Sequence, residues 1–210
     1  MSKDWTGNSK SIYSTLGASS HSDYDRAEYD YYATDPKAID YLFSVHKFDK
    51  TIWEPACGEG HLSKAIEEYG KSVYSTDLID RGYGHGIKDF LMATDIWEGD
   101  IITNPPYKYA AEFVAQAMSL LVEGKQLAMF LKLTFLEGQN RYKLFQNYPP
   151  ELVYVFSKRI GVARNGDEAM FNASSAAAYA WFVWRKGFKG EPKVRWIDPT
   201  KQPNPVQEEQ

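Results

Sequence analysis

Asn104-Pro105-Pro106-Tyr107 directly follows the apolar run Asp100-Ile101-Ile102-Thr103. Two consecutive prolines fix φ near −65° and remove two backbone donors, so Asn104 is pushed toward an extended conformation while nearby carbonyls stay free to accept. The carboxamide of Asn104 and the carbonyl of Pro105 can then both accept from one NH₂ group. An amine attached to a base, or the amide of a glutamine, is a weak nucleophile because its lone pair is delocalised. Two acceptors holding its protons favour the pyramidal, nucleophilic form. Tyr107 supplies a ring for the planar group to stack on, a contact worth roughly 1–3 kcal/mol for a base on an aromatic side chain. The plain alternative for the tetrapeptide is an Asn-Pro turn closing a strand.

Upstream, Thr51-Ile52-Trp53-Glu54-Pro55-Ala56-Cys57-Gly58-Glu59-Gly60-His61-Leu62 reads as a strand, a glycine-bearing loop and a helix start. Gly58 and Gly60 allow close backbone approach, and the helix beginning near Gly60 points free N–H groups toward a ligand. A third segment, Ser72-Val73-Tyr74-Ser75-Thr76-Asp77, is another strand pattern ending in an acid, with Leu78 beside it. Asp77 follows Glu54 by 23 positions, near the spacing of about 20 at which a carboxylate meets ribose hydroxyls. Taken singly, the glycines read as ordinary loop formers and Asp77 as a turn residue; in this order they read as a nucleotide-cofactor site.

Glu54-Pro55-Ala56-Cys57-Gly58-Glu59-Gly60 and Asn104-Pro105-Pro106-Tyr107 resemble the two signature motifs of the amino-group DNA methyltransferases, which use S-adenosylmethionine. Asp89-Phe90 resembles that family's acidic-aromatic pair at the cofactor adenine. Tyr31-Tyr32-Ala33-Thr34-Asp35-Pro36 is similar to the segment that closes over the methionine end, which implies roles for Tyr32, Thr34 and Pro36. The order of these pieces is similar to the gamma group of adenine-specific enzymes, and the size and Trp5-Thr6-Gly7 are similar to compact methyltransferases of phages and prophages. The resemblance covers roughly residues 29–186. It implies a Rossmann-like class I methyltransferase fold, α/β and doubly wound, with a mostly parallel seven-stranded sheet whose last strand runs antiparallel. It also implies cofactor contacts from Glu54, Pro55, Ala56, Cys57, Gly58, Gly60, Leu62, Asp77, Leu78, Asp89, Phe90 and Asn104. This chain has Glu54 where the family more often has Asp and Glu59 where it commonly has Ser. No long recognition domain is expected after the core.

The elements that must position these residues follow from alternating patterns. A helix is entered through Asp35 and Pro36, then come a strand at 51–56, a helix near 60–69 and a strand at 72–77. A strand at 100–104, a helix near 108–122, a strand at 126–133, a helix near 138–146 and a strand at 151–157 continue the series. Ala178-Tyr179-Ala180-Trp181-Phe182-Val183-Trp184 ends the core as a last strand. Alternating strands and helices imply a doubly wound sheet with ligands at the carboxyl ends of the strands, where both signature motifs fall. The domain spans 23–190, preceded by a Ser/Gly-rich flexible segment at 1–22 and followed by a C-terminal tail at 191–210 with little to bury.

A chain of 210 residues that is 43% hydrophobic and 15% aromatic can bury a full core as one domain. No run reaches the 18 or so apolar residues of a membrane span, and Met1-Ser2-Lys3-Asp4-Trp5 lacks a signal-peptide core, so the expectation is a cytoplasmic protein with no membrane partner. One cysteine and four histidines give no zinc-ligand spacing, so no metal is expected. Cys57 at a helix start is either a small packing side chain or a reactive thiol.

The net charge of −4 is unevenly spread: residues 1–103 carry 10 basic and 18 acidic side chains, and the remainder 14 and 10. The basic half is the one that opens with the catalytic corner, which favours a polyanionic substrate. Lys108, Lys132, Arg141, Lys143, Lys158, Arg159 and Arg164 are the phosphate-contact candidates, each weighed against an ordinary solvated charge. The polar loop 161–167 is the candidate mobile substrate loop, with a plain hairpin connection as the alternative. The expected substrate is DNA, single-stranded or weakly sequence-specific, with RNA second. RNA adenine, cytosine-amine and protein-glutamine methylation and a non-catalytic cofactor-fold protein remain rivals. A monomer or weak homodimer is expected.

Overall fold

In the computed structural model, residues 32–164 and 177–203 are described. Their strands are β1 Tyr32–Thr34, β2 Thr51–Glu54, β3 Ser72–Ser75, β4 Asp100–Thr103, β5 Gln126–Lys132, β6 Leu152–Phe156, β7 Val162–Arg164, β8 Tyr179–Arg185 and β9 Lys193–Ile197. Their helices are α1 Lys37–Phe43, which leads from β1 into the domain, α2 His61–Glu67, α3 Ala110–Leu120 and α4 Gln139–Asn147. Seven of these strands form one sheet in the order β3-β2-β4-β5-β8-β6-β9. Within it β8 alone runs antiparallel to its neighbours, β5 and β6.

The central strands are apolar runs because helices cover both faces of the sheet. Alternate residues then enter two different cores. Ile102, Ala128, Phe130, Trp181 and Val183 pack on the face of α1 and α2. Ile101, Leu127, Met129, Leu131, Phe182 and Trp184 pack on the face of α3. Helix α1 begins where Asp35 Oδ1 accepts from Lys37 N–H at 3.0 Å, in keeping with the entry expected at Asp35 and Pro36. It buries Ala38, Ile39, Leu42 and Phe43.

Two expectations need correction. The core does not end at 178–184, because Lys193–Ile197, read as tail, adds β9 parallel to β6. Ile197 is buried, Ser157 N–H donates to Ile197 O at 2.9 Å, and the Tyr41 hydroxyl donates to Pro199 O at 2.9 Å. The sheet is seven-stranded and mostly parallel as expected, and 178–184, expected as the antiparallel strand, runs antiparallel as β8, between β5 and β6. The second correction concerns 161–167, read as a loop: its residues 162–164 form β7, which pairs antiparallel with 32–34 as a separate ribbon, Thr34 opposite Val162 and Tyr32 opposite Arg164. The segments 1–22, 165–167 of the candidate substrate loop and 204–210 lie outside the described residues. No helix among the described residues is long and apolar enough to cross a membrane.

Candidate functional site

Strands β2, β3 and β4 lie side by side and parallel, so their carboxyl ends open on one edge. Register sets the spacing: Glu54 pairs with Ser75, and Trp53 with Ile101. The glycine loop after β2, Asp77 after β3 and Asn104 after β4 therefore leave the sheet at the same edge.

The glycine loop is locked to β3 by backbone bonds. Thr76 N–H donates to Glu54 O at 2.9 Å and Cys57 N–H to Thr76 O at 3.0 Å. Gly58 N–H donates to Asp77 Oδ2 at 2.8 Å, and Asp77 Oδ1 accepts from Ile79 N–H at 3.0 Å. Asp77 thus shapes the loop, and each carboxylate oxygen retains a lone pair for a further donor. Leu78 is 60% exposed beside it.

Glu54 is 2% exposed. Its carboxyl contacts the Ser63 hydroxyl, which is 2.7 Å from that of Ser75. Burial, reinforced by the charge of Asp77, drives the Glu54 carboxyl well above the usual carboxylate range. A raised carboxyl makes the folded state hold a proton that the unfolded chain has released. Its contribution to stability is full below the ordinary value and is lost as pH rises through the folded-state value. Glu54→Gln, neutral at every pH, is therefore expected to melt a few degrees above the parent near pH 8, with the difference closing near pH 5. Thermal melts across pH check this.

Cys57 is buried, and burial pushes its thiol up to about 12. Both features favour the packing side chain over the reactive thiol.

Gly60, at φ +84°, has a role the sequence did not reveal. A Cβ there would lie 2.4 Å from the Tyr83 ring. Tyr83 belongs to a segment laid along the free edge of β3, where His85 N–H donates to Ser75 O at 2.7 Å and Ser75 N–H to His85 Nδ1 at 3.1 Å. The Lys64 ammonium lies 5.0 Å from the Tyr83 ring centroid. Gly84 at φ +101° approaches Ser75 O and Cys57 Sγ so closely that a Cβ would stand 2.9 and 3.1 Å away. The signal in the sequence was the run Gly82, Gly84, Gly86. Gly60→Ala is expected to destabilise by about 1–3 kcal/mol through overpacking and backbone strain. Adding Tyr83→Ala should relieve the clash but not the strain, and melting temperatures of both variants test that partition.

Other proposed cofactor contacts divide. Leu62 is buried in the core. Pro55 is buried, with Ala56 and Pro36 partly so. The Thr34 hydroxyl is buried with no hydrogen-bond partner among the described residues, a group that a polar ligand could satisfy. Asp89 is exposed and its Oδ1 accepts from Leu91 N–H at 2.9 Å. Phe90 instead enters the core, edge-on to Trp53 at 5.1 Å and 4.8 Å from Phe113.

At the corner, Asn104, Pro106 and Tyr107 are partly buried and Pro105 is buried. Tyr107 opens a short 3-10 turn, Tyr107–Tyr109, that feeds α3. Its ring centroid is 6.1 Å from that of Tyr179, which stacks on Phe130 at 5.1 Å. Lys132 Nζ lies over the Tyr107 ring, 5.1 Å from its centroid.

The remaining cationic candidates are dispersed. Lys108 is exposed over Tyr109. Arg141 donates from Nε to Glu137 O and from Nη2 to Thr134 O at 3.3 Å, so its guanidinium holds the turn before α4. Lys143, Lys158 and Arg159 are exposed. Arg164 is placed only by its backbone opposite Tyr32. Among the described residues no cluster of His, Cys, Asp and Glu could hold a metal ion.

No protein-family model matches the chain, and no curated protein matches it in sequence. Solved structures do match in fold. A Listeria monocytogenes protein assigned as a class I S-adenosylmethionine-dependent methyltransferase aligns with TM-score 0.56 at 15% identity, covering 81% of this chain and 67% of its own. A predicted O-methyltransferase of Agrobacterium tumefaciens aligns with TM-score 0.52 at 13% identity, covering 77% and 89%. The M protein of the type I restriction enzyme EcoKI aligns with TM-score 0.53 at 12% identity, covering 78% of this chain and 45% of its own. Together with the strand order and the internal antiparallel strand, these likenesses show that the chain has the Rossmann-like class I methyltransferase fold.

Proposed function

We propose that the chain is an S-adenosylmethionine-dependent methyltransferase that modifies the exocyclic amine of adenine in DNA. The observation that carries this reading is the position of Asn104-Pro105-Pro106-Tyr107 at the carboxyl end of β4, next to the strand that supplies the glycine loop. Polar groups suited to the cofactor stand at the same edge, the Glu54 and Asp77 carboxyls and the loop backbone at Gly58, and the Thr34 hydroxyl, which lacks a partner among the described residues, would add another. Asp89 would complete the set at the adenine end. When bound, S-adenosylmethionine supplies an electrophilic sulfonium methyl group.

The protein residues do the rest. Asn104 and the Pro105 carbonyl accept from the target amine and turn its lone pair outward, an arrangement that binds the developing cation more tightly than the neutral amine. Tyr107 stacks on the base and fixes its plane for in-line attack. A base inside a duplex cannot reach a corner recessed at a sheet edge, so the target is flipped out or taken from a single strand. The M protein among the fold relatives belongs to a restriction enzyme, and the basic C-terminal half suits a polyanion.

The test incubates the protein with labelled S-adenosylmethionine and separate pools of duplex DNA, single-stranded DNA, RNA and protein, followed by digestion and product identification. N6-methyladenine in DNA is the expected product. Label only in RNA, in cytosine or in glutamine keeps the chemistry and replaces the substrate. Cofactor binding with no label in any pool overturns the enzymatic reading.

A further inference from the structure

Lys132 stands apart from the other candidate cations. β4 stops at Thr103, which pairs with Met129, whereas β5 continues for three more residues to Lys132. The extension carries the lysine past the strand end and over the corner, with its ammonium over the Tyr107 ring. Across β5 and β8 it pairs with Tyr179, which is buried. The lysine is half-buried, and it takes no part in the ion pairs seen among the described residues, such as Lys88 with Asp95, Lys125 with Asp49 and Arg185 with Glu151. Its ammonium thus rests on an aromatic face, a contact weaker than a charge-assisted bond to an anion.

The proposed function has a planar substrate stack on Tyr107, and the face beneath the ammonium is one of the two that its ring offers. A group that stacks there displaces the ammonium, which then needs another counter-charge. We propose that Lys132 receives the phosphate of the target nucleotide: the base replaces the ammonium on Tyr107, and the phosphate arriving with the base becomes the ammonium's partner. This rests on the methyltransferase reading above and narrows its substrate class. A glutamine side chain would bring a planar amide but no anion, and would leave a half-buried ammonium without compensation. A nucleotide brings both.

The experiment is a cycle that pairs Lys132→Met with a substrate change. Single-turnover methylation is measured on an adenine-containing oligonucleotide carrying either its normal phosphates or a neutral methylphosphonate, placed 5′ or 3′ of the target in separate substrates. The substrate arm uses the unaltered protein, so it does not depend on how the variant folds, and the variant's melting temperature and S-adenosylmethionine affinity are recorded alongside. For one of the two phosphates, either change alone is expected to lower kcat/KM about tenfold or more, as for loss of a charged hydrogen bond. Both together should lower it little further, and Lys132→Arg should restore part of the rate. Fully additive losses at both phosphates, or an undiminished rate for Lys132→Met, would overturn the assignment while leaving the methyltransferase reading standing. Failure of the unaltered protein to methylate any nucleic acid would overturn this assignment, and absence of label in the protein pool as well would overturn the methyltransferase reading too.

Discussion

Asn104→Ala is expected to lower single-turnover methylation by about 10²–10³-fold, the scale on which removal of one preorganised electrostatic contact is felt. S-adenosylmethionine affinity should stay within about twofold, because the glycine loop is tied to β3 through Thr76 and Asp77 and does not hang from β4. The melting temperature should scarcely move, since Asn104 follows the strand and takes no part in its ladder. Asn104→Asp keeps an acceptor at the same reach and should retain more activity than the alanine variant. Rapid-quench methylation alongside calorimetric binding separates the outcomes. An alanine variant with undiminished turnover would remove Asn104 from the chemistry.

The elements that carry this corner were legible because both faces of the central strands are covered. Such strands appear as unbroken apolar runs, and the glycines and prolines at their ends mark where the chain leaves the sheet. β9 is different. Lys193-Val194-Arg195-Trp196-Ile197 alternates charged and apolar residues at a sheet margin, and Val194 and Trp196 stay largely exposed. Only pairing with β6 makes it a strand, and composition alone assigned it to a tail. In the site, residue types were readable but their partners were not. Gly60 was read as permitting close backbone approach, and one side chain that makes that approach is Tyr83, from a loop more than 20 positions away. Lys132 was one cation among seven until the overhang of β5 placed it on Tyr107. Phe90 carries the expected motif identity, yet its ring enters the core beside Trp53. Such pairings depend on register and rotamer, which a linear pattern does not encode.

Asp100→Ala is expected to do the opposite of Asn104→Ala, at the other end of the same strand. Asp100 is 2% exposed, and its carboxylate accepts from Asp49 N–H and Gln126 N–H, each at 2.7 Å. Gln126 in turn accepts from Arg185 at 3.0 Å, contacts His46 Nε2 at 2.6 Å and donates to Lys47 O at 3.1 Å. The Gln126 carbonyl oxygen is an acceptor, so His46 meets it as the Nε2–H tautomer and can accept from the Tyr154 hydroxyl at 2.9 Å through Nδ1. Burial holds the His46 imidazole below its ordinary range, which keeps that neutral form in place. The alanine variant would strand two inward N–H groups, at about 1–3 kcal/mol each. With about 2–4 °C for each kcal/mol in a domain of this size, the melting temperature should fall by roughly 4–24 °C. Asp100→Asn would keep one acceptor and should fall between. Asp100 and Asn104 are separated by the length of a four-residue strand, about 13 Å, so at temperatures where Asp100→Ala remains folded its turnover should drop less than tenfold. Equal loss of turnover in the two variants would mean that the amino end of β4 also sets the corner's geometry. A large loss of stability with nearly intact chemistry would assign the two ends of one short strand to different work: a buried polar clamp that holds the sheet together, and a proline-fixed corner that acts on the substrate.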